Sequence, residues 1–542
     1  MPLDAPDIQM RLAAIPETYP RAVAMLERAG ADPEDCGDVH RPSVVAAVAV
    51  AGLAAVACGA PAYQAAPLPT VSTAVPPWPL VPPAPVATDP APLETAPVAR
   101  VASATPAPPA TPAPAVAGLL TFRGNATRSY YGEGPVPAAP AVAWRYPQRP
   151  MCSSSVERGV PSTWCGTGWT GQPAVVERPD GTWVVFGAYD GAVHFLDAAT
   201  GRRRLPDFPT GDLVKGSVTI DPDGFPLVYV GSRDGQFRIV AFDGDRPREL
   251  WSLPAWAVEP VLWNDDWDGS ALVVGGYLFE GGENSQWHVV ELNRSYGPDG
   301  LVAVDPVLAF HAPGWDDDLL AALGDTQVSI EGSLAMHDGV VYFANSGGLV
   351  QGWDVSGLGQ GRPPTRVFRY WVGDDVDATV VIDDEGMLYV AAEWERHTAR
   401  AREVGQVLKL DPGRADPLVW SLPDRGSDVA GVWATPALWQ DLVIVATHEG
   451  RLLGINRATG RVRWTRQVAG PAWQSPVVVD GVLVQGGCDG ILRGYDVADT
   501  TLVPPELWAV PVGGCIESTP AVWRGRIFVG TRAGYVVALG EG

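Results

Sequence analysis

The sequence predicts an all-β fold, a single eight-bladed β-propeller of four-stranded antiparallel blades. Two observations lead there. Residues 435–464 (TPALWQDLVIVATHEGRLLGINRATGRVRW) hold four short strand-like runs, 436–439, 442–446, 452–455 and 462–465, separated by turns that end at Gly450 and Gly460. Glycine accepts the positive φ such turns demand. Four strands cannot bury both faces of their own sheet, so the unit needs copies beside it. The copies are present at 184–196, 228–240, 341–353, 483–495 and 527–539. Their turn glycines Gly191 and Gly235 lie 44 apart, and Gly450, Gly490 and Gly534 lie 40 and 44 apart. Four strands at that period are a propeller signature.

Inner-strand starts are read at Gln172-Pro173, Ser217, Pro260, Ser333, Thr379, Thr435-Pro436, Ser475-Pro476 and Thr519-Pro520, which gives eight blades. Merging the third or fifth with a neighbour would give seven. The third blade (260–310) is read with an insert at 279–287 (FEGGENSQW), and the fifth (379–420) replaces its turn with 393–406 (EWERHTARAREVGQ), a short helical or extended hairpin tip. The last repeat stops after three strands, whereas residues 141–147 precede the first repeat and carry Trp144. Those residues are expected to supply the missing outer strand, closing the ring and removing an exposed edge.

Upstream, residues 1–38 read as a doubtful extension with a weak helical pattern. Residues 39–58 follow the order of an export signal: His40 and Arg41, an apolar run at 44–57, then Cys58. The segment resembles a lipoprotein signal with Cys58 as the lipidated residue, although Ala55 stands where that family has Leu. The alternative is a short buried apolar segment, since the run is too short to span a membrane comfortably. Residues 59–117 are a Pro/Ala-rich linker with no hydrophobic period, disordered by composition and suited to a tether. The propeller occupies 118–542. A net charge of −24 argues against nucleic acid, which needs clustered basic residues.

Residues 454–464 (GINRATGRVRW), together with Leu196-Asp197-Ala198-Ala199-Thr200-Gly201, resemble the A-x-D-x-x-T-G-K-x-x-W motif of the PQQ-like β-propeller repeat family. The resemblance implies that Trp251, Trp420, Trp464 and Trp508 pack between adjacent blades. Quinoprotein dehydrogenases and noncatalytic scaffolds share this repeat, so it implies fold before function. The dehydrogenases of the family need calcium beside the quinone, a catalytic Asp and usually a vicinal disulfide. This chain has no adjacent cysteines and no C-x-x-C-H, and no hydrolase template is met. No catalytic residue is assigned.

Three groups of residues carry candidate sites. Cys152 with Cys165, and Cys488 with Cys515, read as disulfides of an exported protein; the alternative is four buried thiols. Asn264, Asp266 and Asp268, followed by Gly269, match the start of a calcium loop. Leu272 and Gly275 stand where further ligands belong, so an acidic surface turn competes. The acids at 316–318 read as a solvated helix start. Finally, the residues three places before each inner-strand proline or its equivalent are Thr170, Lys215, Ala257, Glu331, Asp377, Trp433, Trp473 and Glu517. Inner strands line the central channel, so these positions should ring one mouth, with Lys215, Glu331, Asp377, Trp433, Trp473 and Glu517 forming the binding surface. The alternative is a water-filled channel lined by ordinary polar side chains.

The function these features imply is a noncatalytic protein- or ligand-binding scaffold of the cell envelope, exported and lipid-anchored at Cys58, in the periplasm or on the cell surface. Its partner would be an envelope protein or peptide, and the chain reads as a monomer. Calcium is the cofactor the acidic loop would admit, and PQQ is disfavoured. The competing functions are a PQQ- and calcium-dependent oxidoreductase and a carbohydrate-binding propeller.

Overall fold

The computed structural model describes residues 116–157, 160–169 and 171–542. The extension, the export signal with Cys58, the linker up to residue 115, and Thr170 lie outside the described residues. Eight blades of four antiparallel strands follow one another in the chain, as the repeat spacing predicts, and the first and eighth each gain a two-residue fifth strand, Gly118–Leu119 and, in parallel, Gly132–Glu133. The sixth is the most regular, with strands Ala437–Trp439, Leu442–Ala446, Arg451–Asn456 and Val462–Gln467. Gly191, Gly235, Gly450, Gly490 and Gly534 all take positive φ, between 72° and 97°, at equivalent hairpin turns. The inner three strands of each blade are apolar on both faces because each blade is sandwiched between two others; Leu442, Val443, Ile444, Val445 and Ala446 are all fully buried.

The eighth blade is built from both ends of the propeller. Strand Pro140–Tyr146 pairs antiparallel with the C-terminal strand Tyr535–Glu541, so the expected closure is realised. The Trp144 indole then lies over Gly201 of the first blade, where an added Cβ would sit 2.6 Å from the ring, and its Nε1 donates to Ala198 O at 3.0 Å. Trp420 repeats the arrangement on Gly460 of the sixth blade, with Nε1 donating to Arg457 O at 3.0 Å. The Thr-Gly of the repeat motif is thus explained: the preceding blade's indole occupies the side-chain position of the glycine.

Two expectations about the third blade are corrected. Its inner strand is Leu272–Val274, introduced by Ser270, and not the segment after Pro260. Residues 279–287 are no insert. They form the ordinary hairpin between Tyr277–Gly281 and Gln286–Glu291, and the added hairpin is Arg294–Tyr296 with Val302–Val304. In the fifth blade, residues 393–406 do form a short helix, Ala399–Val404, preceded by a two-residue strand, Glu393–Trp394. Asp316 caps the helix Asp317–Leu323, accepting from Leu319 N at 3.0 Å, as a solvated helix start should.

Serine and threonine hydroxyls at the inner-strand starts join neighbouring blades. Gln172 N donates to Ser217 Oγ (2.8 Å), Ser270 N to Ser333 Oγ (2.9 Å), Ser333 N to Thr379 Oγ1 (2.9 Å), Thr379 N to Thr435 Oγ1 (3.0 Å) and Thr435 N to Ser475 Oγ (3.0 Å). Just past these hydroxyls the channel is filled by residues 119–131, a plug that the sequence does not announce. Leu120 O, Ala126 O and Thr127 O accept from Ile220 N, Met336 N and Ile382 N. Two fully buried arginines lock it. Arg123 Nη2 donates to Thr435 O (2.7 Å) and Pro476 O (2.9 Å), and Arg128 donates to Leu334 O (2.8 Å) and Ser270 O (2.9 Å). Carbonyls and the Thr121 hydroxyl satisfy the Arg128 fork, whereas Arg123 Nε and Nη1 have no hydrogen-bond partner and its guanidinium lies over the Tyr131 ring at 4.7 Å.

Candidate ligand site at the mouth of the propeller

Above the hydroxyl ring the mouth is therefore a cup with the plug as its floor. The residue two places before each hydroxyl points to this cup's rim: Lys215 before Ser217, Glu331 before Ser333, Asp377 before Thr379, Trp433 before Thr435, Trp473 before Ser475 and Glu517 before Thr519. With the third inner strand starting at Ser270, its contribution is Asp268 and not Ala257. The acidic loop and the ring are consequently one site.

In the third blade, Asp266 and Asp268 meet Glu283 from the turn after the second strand, and all three are buried. Lys215 of the second blade sits among them. Its Nζ lies 2.5 Å from Asp268 Oδ2, 3.1 Å from Glu283 Oε1 and 3.4 Å from Asp266 Oδ2. Arg233 Nε adds a contact to Asp266 Oδ2 at 3.2 Å, and Asn264 turns its amide NH2 on Glu283 Oε2 at 2.9 Å. Burial pushes Asp266 and Asp268 up to about 8, and Lys215 only partly offsets it. Burial acts on Glu283 too, but Lys215 and Asn264 outweigh it and hold this carboxyl below its usual range. Lys215 in turn is held well above its usual value, its burial overcome first by Asp268 and then by Glu283. Lys215 and Arg233 bring two positive charges to three buried carboxylates, so burial still leaves Asp266 and Asp268 raised while Glu283, which Lys215 and Asn264 both contact, is lowered. A cavity of about 330 Å³ opens beside Lys215, lined in part by Asp212, Trp263 and Glu331.

The fifth blade repeats the pattern. Asp375 and Asp377 meet Glu393, again from just after the second strand, and the three carboxylates have oxygens within 4.8 Å of one another. Glu331 of the fourth blade faces them, accepting from Ser329 Oγ at 2.7 Å and Ser346 Oγ at 3.2 Å. Burial, with the neighbouring acids adding to it, drives Glu331 up to about 8 and Asp377 and Glu393 well above their usual range. Burial also pushes Asp375 up to about 7, against the pull of Arg396. That arginine is committed elsewhere, to Asp325 Oδ2 (3.0 Å), Gln327 O (2.6 Å) and Ser346 O (2.8 Å).

The opposite side of the cup is aromatic. Trp433 and Trp473 flank His448 at centroid distances of 4.3 and 5.8 Å, and Trp169 approaches Trp473 at 6.3 Å. Trp473 Nε1 donates to His448 Nδ1 at 3.1 Å, and burial keeps the imidazole below its usual pKa. Glu517 completes the rim, 3.8 Å from Arg532 Nε, raised by burial despite that arginine. Sequence reasoning missed Glu283, Asp375, Glu393, Trp169 and His448. Asp-x-Asp ending at the rim position, shared by residues 266–268 and 375–377, is the signal that would have found Asp375.

Both expected disulfides are present. Cys152–Cys165 clamps a hairpin, Cys152–Glu157 with Val160–Cys165, beside the mouth, and Cys488–Cys515 ties the seventh blade's turn to the entry of the eighth. Among the described residues no helix is long and apolar enough to cross a membrane.

Residues 403–541 match the family model described as outer membrane protein assembly factor BamB. A quinohemoprotein alcohol dehydrogenase, ADH IIB of Pseudomonas putida, is 32% identical over 147 residues, which is 25% of this chain and 20% of that protein. The chain thus spans about a fifth of the length of the curated relative it matches. Among solved structures, the quinohemoprotein alcohol dehydrogenase ADHIIG of Pseudomonas putida HK5 superposes with a TM-score of 0.52 at 12% identity, covering 78% of this chain and 80% of that one. The quinohemoprotein alcohol dehydrogenase of Comamonas testosteroni gives 0.50 at 14% identity, with the same coverage of 78% and 80%. These similarities bear out the PQQ-like repeats read from the sequence, and the structural ones show the fold.

Proposed function

We propose that this PQQ-like β-propeller is a noncatalytic binding scaffold of the cell envelope, whose mouth takes a basic segment of a partner protein or peptide. One observation carries the reading: a floored cup with carboxylates on blades 3 to 5 and indoles on blades 6 and 7. Carboxylates pair with an ammonium or guanidinium, and indole faces attract the same cation. The two disulfides favour an oxidising compartment. The family model over residues 403–541, described as an outer membrane assembly factor, supports an envelope role. Anchoring through Cys58 belongs to the same proposal, and mass spectrometry of the native N-terminus tests it.

The oxidoreductase reading is favoured by the partial identity to a quinohemoprotein dehydrogenase. The donor set of the mouth suits a hard cation. It does not suit PQQ, a polycarboxylated quinone, which would face buried acids on three blades with Lys215 and Arg233 as the nearby counter-charges. Titrating the protein with an oligo-arginine peptide, followed by indole fluorescence, should saturate, and Trp473→Ala or Asp377→Asn should weaken binding at least tenfold. Binding unchanged in both variants sinks the mouth as the docking site. Dye-linked alcohol oxidation after reconstitution with PQQ and Ca²⁺ sinks the noncatalytic view.

A further inference from the structure

The two carboxylate triads stand at equivalent places in their blades. Asp266, Asp268 and Glu283 in the third correspond to Asp375, Asp377 and Glu393 in the fifth. Each has Asp-x-Asp ending at the rim and a Glu two residues past the second strand. What differs is the rim residue of the preceding blade. For the third-blade triad it is Lys215, whose Nζ contacts all three acids at 2.5–3.4 Å. For the fifth-blade triad it is Glu331, a fourth carboxylate, whose repulsion of Asp377 is that acid's largest charge interaction. Glu331 also faces Glu283 and Lys215 of the third-blade group, but the fifth-blade triad has no cation of its own at the place where Lys215 stands in the third.

A second observation separates this cluster from an ordinary acidic patch. Asp377 and Glu393 are 9% and 2% exposed, and Asp377 Oδ1, Asp375 Oδ1 and Glu393 Oε1 meet no donor from outside the triad, whose carboxyls face one another. Among the described residues no ion pair reaches Glu331, Asp375, Asp377 or Glu393. Buried carboxylate oxygens left without donors cost free energy unless a cation meets them.

We propose that Asp375, Asp377 and Glu393, with Glu331 beside them, bind one hard divalent cation, Ca²⁺. An all-oxygen set of carboxylates with no nitrogen or sulfur donor selects this class. Irregular ligand spacing on two blades and a loop suits calcium's flexible coordination better than the strict octahedron of magnesium. This triad is distinct from Asp266, Asp268 and Glu283, where Lys215 already occupies the position of a cation, and Glu331 faces both.

The test uses the chelator-treated protein and Ca²⁺ alone, with calorimetric titration and thermal unfolding. One Ca²⁺ per chain should bind and raise the melting temperature. Glu393→Gln should weaken binding at least tenfold, whereas Asp268→Asn should leave it within about twofold. Glu331→Lys is the decisive variant, because it recreates the Lys215 arrangement. It should abolish calcium binding while melting, without calcium, at or above the wild-type temperature, so loss of binding cannot be ascribed to misfolding. No saturable binding by the wild-type protein at about 10 mM Ca²⁺, well above the weakest extracellular sites, would overturn the proposal. So would full binding by Glu331→Lys or Glu393→Gln. Peptide binding in a protein that takes no calcium would remove this site and leave the scaffold reading intact.

Discussion

Replacing Lys215 with Met tests the electrostatics of the mouth most directly. The substitution keeps the length and apolar stem of the side chain and removes the ammonium that contacts Asp266, Asp268 and Glu283. Breaking a buried ion pair from one side costs about 3–5 kcal/mol, because the remaining charge is stranded. Lys215 is 16% exposed and its partners are 2–4% exposed, so solvent screening removes little of that. Unfolding roughly 420 ordered residues at about 2.1 cal/mol/K per residue gives about 0.9 kcal/mol/K, so the melting temperature should fall by about 3–6 °C at pH 8.

The penalty must depend on pH. Without Lys215, Glu283 loses the cation that lowers its pKa and joins Asp266 and Asp268, which burial already holds at about 8. All three acids then have folded values above their unfolded ones, so the folded state binds more protons. Stability is retained at low pH and lost as pH rises through the window from about 4 to about 8. At pH 5 the acids protonate and the deficit of the variant should shrink to about 1 kcal/mol or less. Urea unfolding of both proteins at pH 5 and pH 8 measures this. An equal deficit at the two pH values, or a variant more stable than wild type at pH 8, would refute the account of Lys215 as the cation shared by all three acids.

Trp144→Ala should destabilise the ring by about 2–3 kcal/mol in urea unfolding, below the 3–5 of a fully buried indole because Trp144 is half-buried. A loss below 0.5 kcal/mol would mean that closure does not depend on that indole. Replacing Cys488 and Cys515 together by Ser should cost about 3–4 kcal/mol by the chain-entropy account of a bridge spanning 27 positions, and peptide mapping without reductant should recover the 488–515 and 152–165 pairs. His194 gives a second pH signature. Burial lowers its pKa, but Asp190 at 3.1 Å and Asp207 at 3.0 Å outweigh it, leaving the net value raised. Its contribution is therefore complete below the ordinary histidine value of about 6.5 and fades as pH rises through the folded one. His194→Gln should lose more stability at pH 5.5 than at pH 8.5, and the reverse order would show that the imidazole is neutral.

Blade number and ring closure were legible because both depend on local chemistry repeated at a fixed interval. Turn glycines such as Gly191, Gly235, Gly450, Gly490 and Gly534 and outer-strand tryptophans Trp251, Trp420, Trp464 and Trp508 mark the copies, and Trp144 supplies the one missing from the chain's last repeat. Blade 3 misled for a local reason. Pro260 imitates the proline of several inner-strand starts, whereas the true start, Ser270, has no proline and follows an irregular excursion. The plug was illegible because nothing in it repeats. Arg123 finds its carbonyls 312 and 353 residues away and Arg128 finds one at 206, separations that no pattern within the segment encodes.

The rim shows why one shifted blade mattered more than its size suggests. In a propeller, repeat-equivalent residues become neighbours around a common axis, so the register of each copy decides which side chains meet. A start of blade 3 at Pro260 puts Ala257 in the ring and leaves the acidic loop a separate calcium candidate. With it started at Ser270, Asp268 enters, the two candidates fuse, and the Asp-x-Asp of blade 5 becomes the counterpart of the Asp-x-Asp of blade 3. Only then does the exchange of Lys215 for Glu331 acquire meaning. The same triad is closed by the protein in one blade and held open to a cation from outside in the other.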